Sequence, residues 1–318
     1  MSTSPHPLRV LVAGAGAFGR EHLSRLTKRP DAKVVGVADA DPLALEAIRA
    51  GLGGAECLTD ALRMIDSVEA DAIIIAAPAA AHVEIAVRAL ERNLSVLLEK
   101  PLAPSASAAL PLLAAAHNSE GFVMPGHVLR FSQDHVRMVE TVRSGRIGEV
   151  LYLNSRRYRD EGHAARYPDD DPVLMTLIHD IDVAQWVTDS DFHSIVARRS
   201  KGAGYRSMTG VSATTGNGVI CDLRTAWTFP RGDLPPDCVE VVGDRGSVEL
   251  VVGAGLEIYA EGRRTRYPAT DGDDPLRNEQ DHFLACVRDR SQAPALTLSQ
   301  ALIGLKLAEA AIQSLRSR

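Results

Sequence analysis

Leu8-Arg9-Val10-Leu11-Val12-Ala13-Gly14-Ala15-Gly16-Ala17-Phe18-Gly19 is the stretch on which the reading of this chain turns. The apolar run 8–13 stops on glycines spaced Gly-x-Gly-x-x-Gly, and helical spacing follows through Lys28. That order is strand, glycine turn, helix. Gly14 permits the tight turn, Gly16 lets backbone approach a pyrophosphate, and Gly19 lets the helix pack closely on the strand. Unpaired N–H groups at the helix start, with Ala17 and Phe18 in its first turn, offer partial positive charge to phosphates. A second apolar run, 33–38, ends at Asp39, twenty residues beyond Gly19. An acid at this distance accepts hydrogen bonds from ribose hydroxyls. A dinucleotide site is the expectation, the plainer alternative being that Asp39 merely starts the next turn. A carboxylate about 4 Å from a 2′-phosphate costs roughly 1–4 kcal/mol of repulsion. Ala40-Asp41-Pro42 brings no cation to offset it, so NAD is expected over NADP.

Outward from this turn the alternation continues. Residues 42–50 read as helix, 71–77 as a strand with three isoleucines stopping at Pro78, and 82–92 as helix. Residues 94–98 form a strand ending at Glu99-Lys100-Pro101. Continuous apolar strands alternating with helices indicate a parallel sheet covered on both faces, an α/β Rossmann domain over 1–125. The character changes at Pro125-Gly126. A helix over 136–144 is followed by strand patterns at 150–159, 194–200, 211–215, 219–229, 238–242, 247–252 and 256–259. A helix over 172–187 interrupts them and another, 298–315, closes the chain. This is an α+β domain, 126–318, with a large, mostly antiparallel open sheet. The polar, acidic segment 268–275 reads as a surface loop.

Composition narrows the function. The 35 basic and 41 acidic residues give a net charge of -6, which disfavours a nucleic-acid or anionic-membrane surface. Cys57, Cys221, Cys238 and Cys286 are scattered; they read as reduced thiols of a cytoplasmic protein, without the clustering of a zinc site. The N-terminal residues carry no signal-peptide core, and the longest apolar stretch, 72–81, is about half of the ~20 residues a membrane helix needs. No metal, nucleic acid or membrane is expected.

The chain resembles the glucose–fructose oxidoreductase / inositol dehydrogenase family, Gfo/Idh/MocA, from Val10 to the final helix. The likeness rests on the glycine turn, Ala76-Ala77-Pro78 with His82, Glu99-Lys100-Pro101, Gly126-His127-Val128-Leu129-Arg130-Phe131 and Ile178-His179-Asp180-Ile181-Asp182. Val241–Ser247 and Asp281-His282-Phe283 add to it. The resemblance implies hydride transfer between a nicotinamide and a hydroxyl-bearing carbon of a sugar, sugar acid or cyclitol. It also implies a homodimer or homotetramer built through the second sheet. Carried over by position, Lys100 hydrogen-bonds the reacting oxygen and His179 is the general acid/base. Glu99 and Pro101 shape the loop, with a cis Lys100–Pro101 bond open to it, as X–Pro bonds are. The chemistry agrees, because a near-neutral histidine accepts a proton and an ammonium stabilises a developing alkoxide. Ala77, Pro78 and His82 fall at the cofactor end of a strand, although His82 also fits as the mere opening of a helix.

One departure stands out. With Asp171-Pro172 starting a helix, Met175 lies one turn before His179, where sugar-oxidising relatives carry an aspartate. Methionine is no ionised acceptor. Asp182, three residues after His179, is the substitute in reach; its alternative is a structural bond. Arg130, Arg156 and Tyr158 are candidate substrate contacts, the last two sharing one face of the strand 150–159, with a solvated edge as the alternative. Two other outcomes use the same cofactor: a lyase- or glycosidase-type reaction through transient oxidation, and a dinucleotide sensor weakened in catalysis by Met175.

Overall fold

Residues 6–201 and 207–316 are described here, from a computed structural model. Six strands, β1 (Leu8–Ala13), β2 (Ala32–Ala38), β3 (Glu56–Leu58), β4 (Ala72–Ile75), β5 (Ser95–Glu99) and β6 (Val123–Gly126), pair in the order β3-β2-β1-β4-β5-β6. Every pairing is parallel. Helices α1 (Ala17–Leu26), α2 (Pro42–Arg49), α3 (Ala61–Ser67), α4 (Ala79–Glu91) and α5 (Leu110–His117) make the crossovers. The runs Val10–Ala13, Ile73–Ile75 and Val96–Leu98 are wholly buried, which is why they read as unbroken apolar stretches. Strand order reverses on either side of β1, so a ligand crevice is expected at the carboxyl ends of β1 and β4. Local signals fix the helix starts. The Asp41 side chain accepts from Leu43 N–H ahead of Pro42, and Asp60 accepts from Leu62 and Arg63 N–H.

The second sheet contains β7 (Val150–Asp160), β8 (Phe192–Arg199), β9 (Met208–Thr215), β10 (Ile220–Phe229), β11 (Cys238–Gly243), β12 (Gly246–Val251), β13 (Gly255–Ala260) and β14 (Arg263–Pro268). Their order is β14-β13-β12-β11-β7-β10-β9-β8, antiparallel throughout except where β7 meets β10. Along β7, Leu153, Ser155 and Arg157 are buried while Tyr152, Asn154 and Arg156 are half-exposed, the two-residue alternation of a sheet covered on one face. Helices α6 (Gln133–Arg143), α7 (Glu161–Arg166) and α8 (Ile178–Thr188) accompany this sheet. Met138, Ile178, Ile181, Leu223 and Val241 belong to its core. Helices α9 (Pro275–Arg288) and α10 (Leu298–Arg316) complete the chain.

Two expectations change. The chain does not divide at 125/126: the first compact unit runs to Val128 and also takes in Leu276–Leu302, leaving Leu129–Pro275 and the stretch from Ile303 to the second. Helix α9 is what returns, its buried Leu276, Phe283 and Leu284 needing a core to cover them. The helix expected from Pro172 opens instead as a π-helical turn, Val173–Leu177, before α8 begins. Segment 268–275 is the surface loop expected, and it is pinned to the start of α6. Asp273 accepts the Gln133 N–H that opens α6 at 3.0 Å, and Thr270 donates its hydroxyl to Asp134 at 2.8 Å.

Candidate active site

In the first unit the glycine turn has the geometry its sequence demands. Gly14 has φ +108°, and a Cβ there would lie 2.5 Å from the Ala76 carbonyl oxygen. At Gly19 a Cβ would overlap the Gly14 carbonyl. Both positions are closed to any side chain by backbone. Gly16 differs, because nothing lies within 4 Å of the place its Cβ would take. Open space on a helix N-cap whose N–H groups receive no side-chain cap is what an incoming phosphate requires. Phe18 is exposed beside it. Asp39 ends β2 with Oδ2 accepting from Ala15 N–H at 2.6 Å and Oδ1 from Asp41 N–H at 2.9 Å. Its carboxylate thus braces the glycine turn, and each oxygen keeps a second lone pair for a ribose hydroxyl.

Ala77 and Pro78 form the turn from β4 to α4. His82 does not face outward from it. The residue is 1% exposed, with Nδ1 2.9 Å from the Pro101 carbonyl and Nε2 2.7 Å from the Ala77 carbonyl. Burial pulls its pKa down while the two carbonyls pull it up. The net shift is downward, so the ring is neutral and its single N–H serves one of the two carbonyls. Both nitrogens face backbone and neither is turned to a ligand, which corrects the place of His82 among the cofactor contacts. Glu99 is likewise turned inward. It is buried, with Oε1 against His22 Nε2 at 2.9 Å and Oε2 accepting from Lys100 N–H at 3.3 Å. Lys100 itself is half-buried immediately beyond β5, and its bond to Pro101 is cis.

In the second unit His179 lies in the first turn of α8 and is half-buried, between buried Ile178 and Asp180. Asp180 points away into the sheet. Arg157 donates to its two oxygens at 3.0 and 3.1 Å and to Asp237 at 2.6 Å. Burial would depress the Arg157 guanidinium, but the two carboxylates hold its pKa above the ordinary value; Asp237 is held low by Arg157 and Arg159 despite its own burial. This network seats the helix that carries His179. The wide turn ahead of it is anchored by Asp171, which accepts from Val173 N–H at 2.9 Å and pairs with Arg199 at 3.0 Å. Wide turns of this kind recur at functional sites because they re-aim the residues that follow. Met175 lies within it, half-buried.

The expected substrate contacts separate. Arg130 and Asp182 meet each other, with three N–O distances between 2.9 and 3.1 Å, and both side chains are under a tenth exposed. The Arg130 guanidinium also lies over Trp186, 5.3 Å from the ring centroid. Opposite charges 52 residues apart in sequence thus meet in a buried pair, the structural bond that was the alternative reading of Asp182. Arg156 and Tyr158 lie by the pleat on the face opposite Arg157, hence opposite α8, with Tyr158 stacked on Phe229 at 5.0 Å. They belong to the uncovered face of the sheet and not to the environment of His179. Sequence reasoning overlooked Arg157, His22, Glu279 and Gln280. The spacing Gly19-x-x-His22 was the available signal for the second of these.

A doubly wound parallel sheet with a phosphate-ready glycine turn, joined to an open-sheet unit carrying a helix-borne histidine, defines a dinucleotide-dependent oxidoreductase. The model of the oxidoreductase family with an NAD-binding Rossmann fold matches residues 8–127, and that of the GFO/IDH/MocA C-terminal domain matches 135–249. The chain belongs to the Gfo/Idh/MocA family and is an NAD-dependent oxidoreductase acting on CH–OH groups. It is 29% identical over 294 residues to an inositol 2-dehydrogenase of Saccharopolyspora erythraea, covering 90% of this chain and 84% of that one. With the inositol 2-dehydrogenase of Rubrobacter xylanophilus it is 31% identical over 253 residues, 76% of this chain and 71% of the other. In fold it is similar to the scyllo-inositol dehydrogenase of Lactobacillus casei, solved with NAD(H) and scyllo-inositol. There the TM-score is 0.85 at 18% identity, over 98% and 97% of the two chains. Among the described residues no helix is long and apolar enough to cross a membrane.

Proposed function

We propose that this chain is a cyclitol dehydrogenase that uses NAD to oxidise a ring hydroxyl of an inositol-like substrate to the ketone. One observation carries the reading. Glu99-Lys100-Pro101 and Ile178-His179-Asp180 both fall inside the family-matched segments, and the relatives named above are inositol 2-dehydrogenases. When bound, NAD supplies the acceptor for the hydride that leaves the carbinol carbon. The Gly16–Phe18 backbone binds the pyrophosphate through N–H groups, and Asp39 binds the ribose hydroxyls while repelling a 2′-phosphate, so NAD is preferred to NADP. Ala77 and Pro78 shape the neighbouring turn. His179 takes the hydroxyl proton as the carbonyl forms, and Lys100 stabilises the negative charge that develops on oxygen. Since the Lys–Asp–His set of sugar oxidisers lacks its acid at Met175, His179 works here without a carboxylate from the preceding turn. The uncovered sheet face, with Ile220 and Tyr259 exposed in the row of Tyr152, supports docking of a second copy as a homodimer or homotetramer. Four free thiols suit a cytoplasmic enzyme.

The test is a screen of NAD reduction over cyclitols, aldoses and uronic acids, followed by absorbance of the reduced nicotinamide. Cyclitols should give the highest kcat/KM, and a preference for aldoses or uronic acids overturns the substrate class. Lys100→Met should keep NAD affinity by calorimetry while turnover falls about 10²–10³-fold; undiminished turnover removes Lys100 from the mechanism.

A further inference from the structure

His22 on α1, Glu99 at the end of β5 and Glu279 on α9 lie together in the first unit. All three are buried, and their ligating atoms lie within 4.8 Å of one another. A histidine and two carboxylates invite a cation, but the hydrogen-bond directions decide against one. The Gln280 amide nitrogen lies 3.2 Å from the His22 backbone oxygen, a contact that only a donor satisfies. The same nitrogen lies 3.0 Å from His22 Nδ1, which therefore accepts. The ring proton is then on Nε2, which donates to Glu99 Oε1 at 2.9 Å. A protonated nitrogen has no lone pair for a metal. Glu99 receives a second donor, Lys100 N–H, on its other oxygen, and so is the acceptor of the group. Gly126 makes room for it, because a Cβ there would come within 3.1 Å of the Glu99 carboxyl.

Glu279 faces a different situation. The residue is 0% exposed and neither carboxyl oxygen has a hydrogen-bond partner. An ionised carboxylate here would be stripped of water and set beside a second negative charge. Burial first, and then the charge of Glu99, push its pKa well above the usual carboxylate range. We propose that Glu279 is held in the folded protein as a neutral carboxylic acid with its O–H turned toward Glu99, so that it positions the carboxylate on which the Lys100 turn hangs. The titratable groups facing it are His22 on α1 and Glu99 on β5, while Gln280 on its own helix is uncharged. His22 lies three residues past Gly19 and meets exposed Phe18 edge-on at 5.3 Å. The glycine helix, the Lys100 turn and α9 are therefore tied at one polar point. The positioning role rests on the part proposed above for Lys100; the protonation of Glu279 does not.

Infrared spectroscopy of the full-length protein tests the protonation directly. The spectrum of the parent minus that of Glu279→Gln should contain a protonated-carboxyl C=O band that shifts in D2O. Denaturant melts give an independent reading. The unfolded chain releases the Glu279 proton at ordinary acidity and the folded one keeps it, so stability falls as pH rises across that window. The unfolding constant of the parent relative to Glu279→Gln should climb as pH rises above the ordinary carboxylate range, by up to about tenfold per pH unit. A flat or falling ratio, a missing band, or a stoichiometric metal in the purified protein that Glu279→Gln loses would overturn the proposal. For the positioning role, Glu279→Gln should hold kcat within about threefold, and Glu279→Leu should lower kcat more than tenfold with KM for NAD little changed. Equal kcat in the two variants overturns that role while leaving the infrared result intact. Loss of Lys100's own part would show separately, in Lys100→Met.

Discussion

The two units hold their functional residues in place by different means. In the first, the glycine turn is built from backbone: Gly14 and Gly19 press against carbonyls, and Asp39 braces the turn through N–H groups of Ala15 and Asp41. In the second, α8 is seated by side-chain charge, through Arg157 with Asp180 and Asp237 and through Arg130 with Asp182. Backbone devices leave a local imprint in sequence, since only glycine fits them. Charge pairs between distant segments leave none, because either partner read alone passes for a surface residue or a ligand contact.

The contrast breaks most visibly at Arg157. Arg157→Met strands buried Asp180 and leaves Asp237 with Arg159 alone, so a loss of about 3–5 kcal/mol is expected in denaturant melts; Arg264→Ala, which removes an exposed pair with Glu257, should leave the midpoint unmoved. In the glycine turn, Gly19→Ala must shift backbone and should cost about 1–3 kcal/mol along with NAD binding. Gly16→Ala has open space and an ordinary φ of -67°. It should keep its melting temperature while NAD affinity falls more than tenfold by calorimetry, separating the turn's structural glycines from the one that serves the ligand. Asp39→Asn keeps an acceptor for Ala15 N–H but removes the charge. The NAD preference, taken as the ratio of kcat/KM with the two cofactors, should narrow by roughly 1–4 kcal/mol. At neutral pH the smallest effect concerns His135, whose pKa is pushed down to about 3 by burial and then by the charge of Arg157. As pH falls below about 6.5 the unfolded chain takes a proton that the folded one refuses. Stability should therefore decline by up to about 1.4 kcal/mol per pH unit toward about pH 3 and be whole above 6.5. His135→Gln should flatten that decline in melts at pH 7 and 5.

Much of the fold was legible for the same reason. β1 falls at Leu8–Ala13 as the apolar run indicated, and the strand ending at Asp39 is β2. The second sheet was recognisable from alternation, although which face of β7 is buried was not. The strands that escaped were short or ran against type. β3 has three residues, β6 holds Pro125 on an edge, and β14 carries Arg263, Arg264 and Arg266, a charged edge that blunts further pairing. The wide turn at Val173–Leu177 is five residues long, too few for its period to differ visibly from that of an ordinary helix. At the site, the glycine turn, Asp39 and the end-of-strand position of Lys100 were readable. His82 was not, because a histidine at a strand-to-helix turn can face a ligand or a carbonyl, and only the Pro101 carbonyl from another loop decides. Arg130 and Asp182 were each read as reaching for substrate, since their mutual neutralisation depends on a fold-level meeting.

The return of Leu276–Leu302 to the first unit also governs the order of events during synthesis. On the ribosome the six parallel strands emerge early, yet His22 and Glu99 wait for Gln280 and Glu279 until the entire second sheet has been translated. Along the chain, the open-sheet unit interrupts the dinucleotide unit. A nascent chain released before α9 would leave a carboxylate and an imidazole in an apolar interior without their last partners, so quality control should treat early termination products as unfinished.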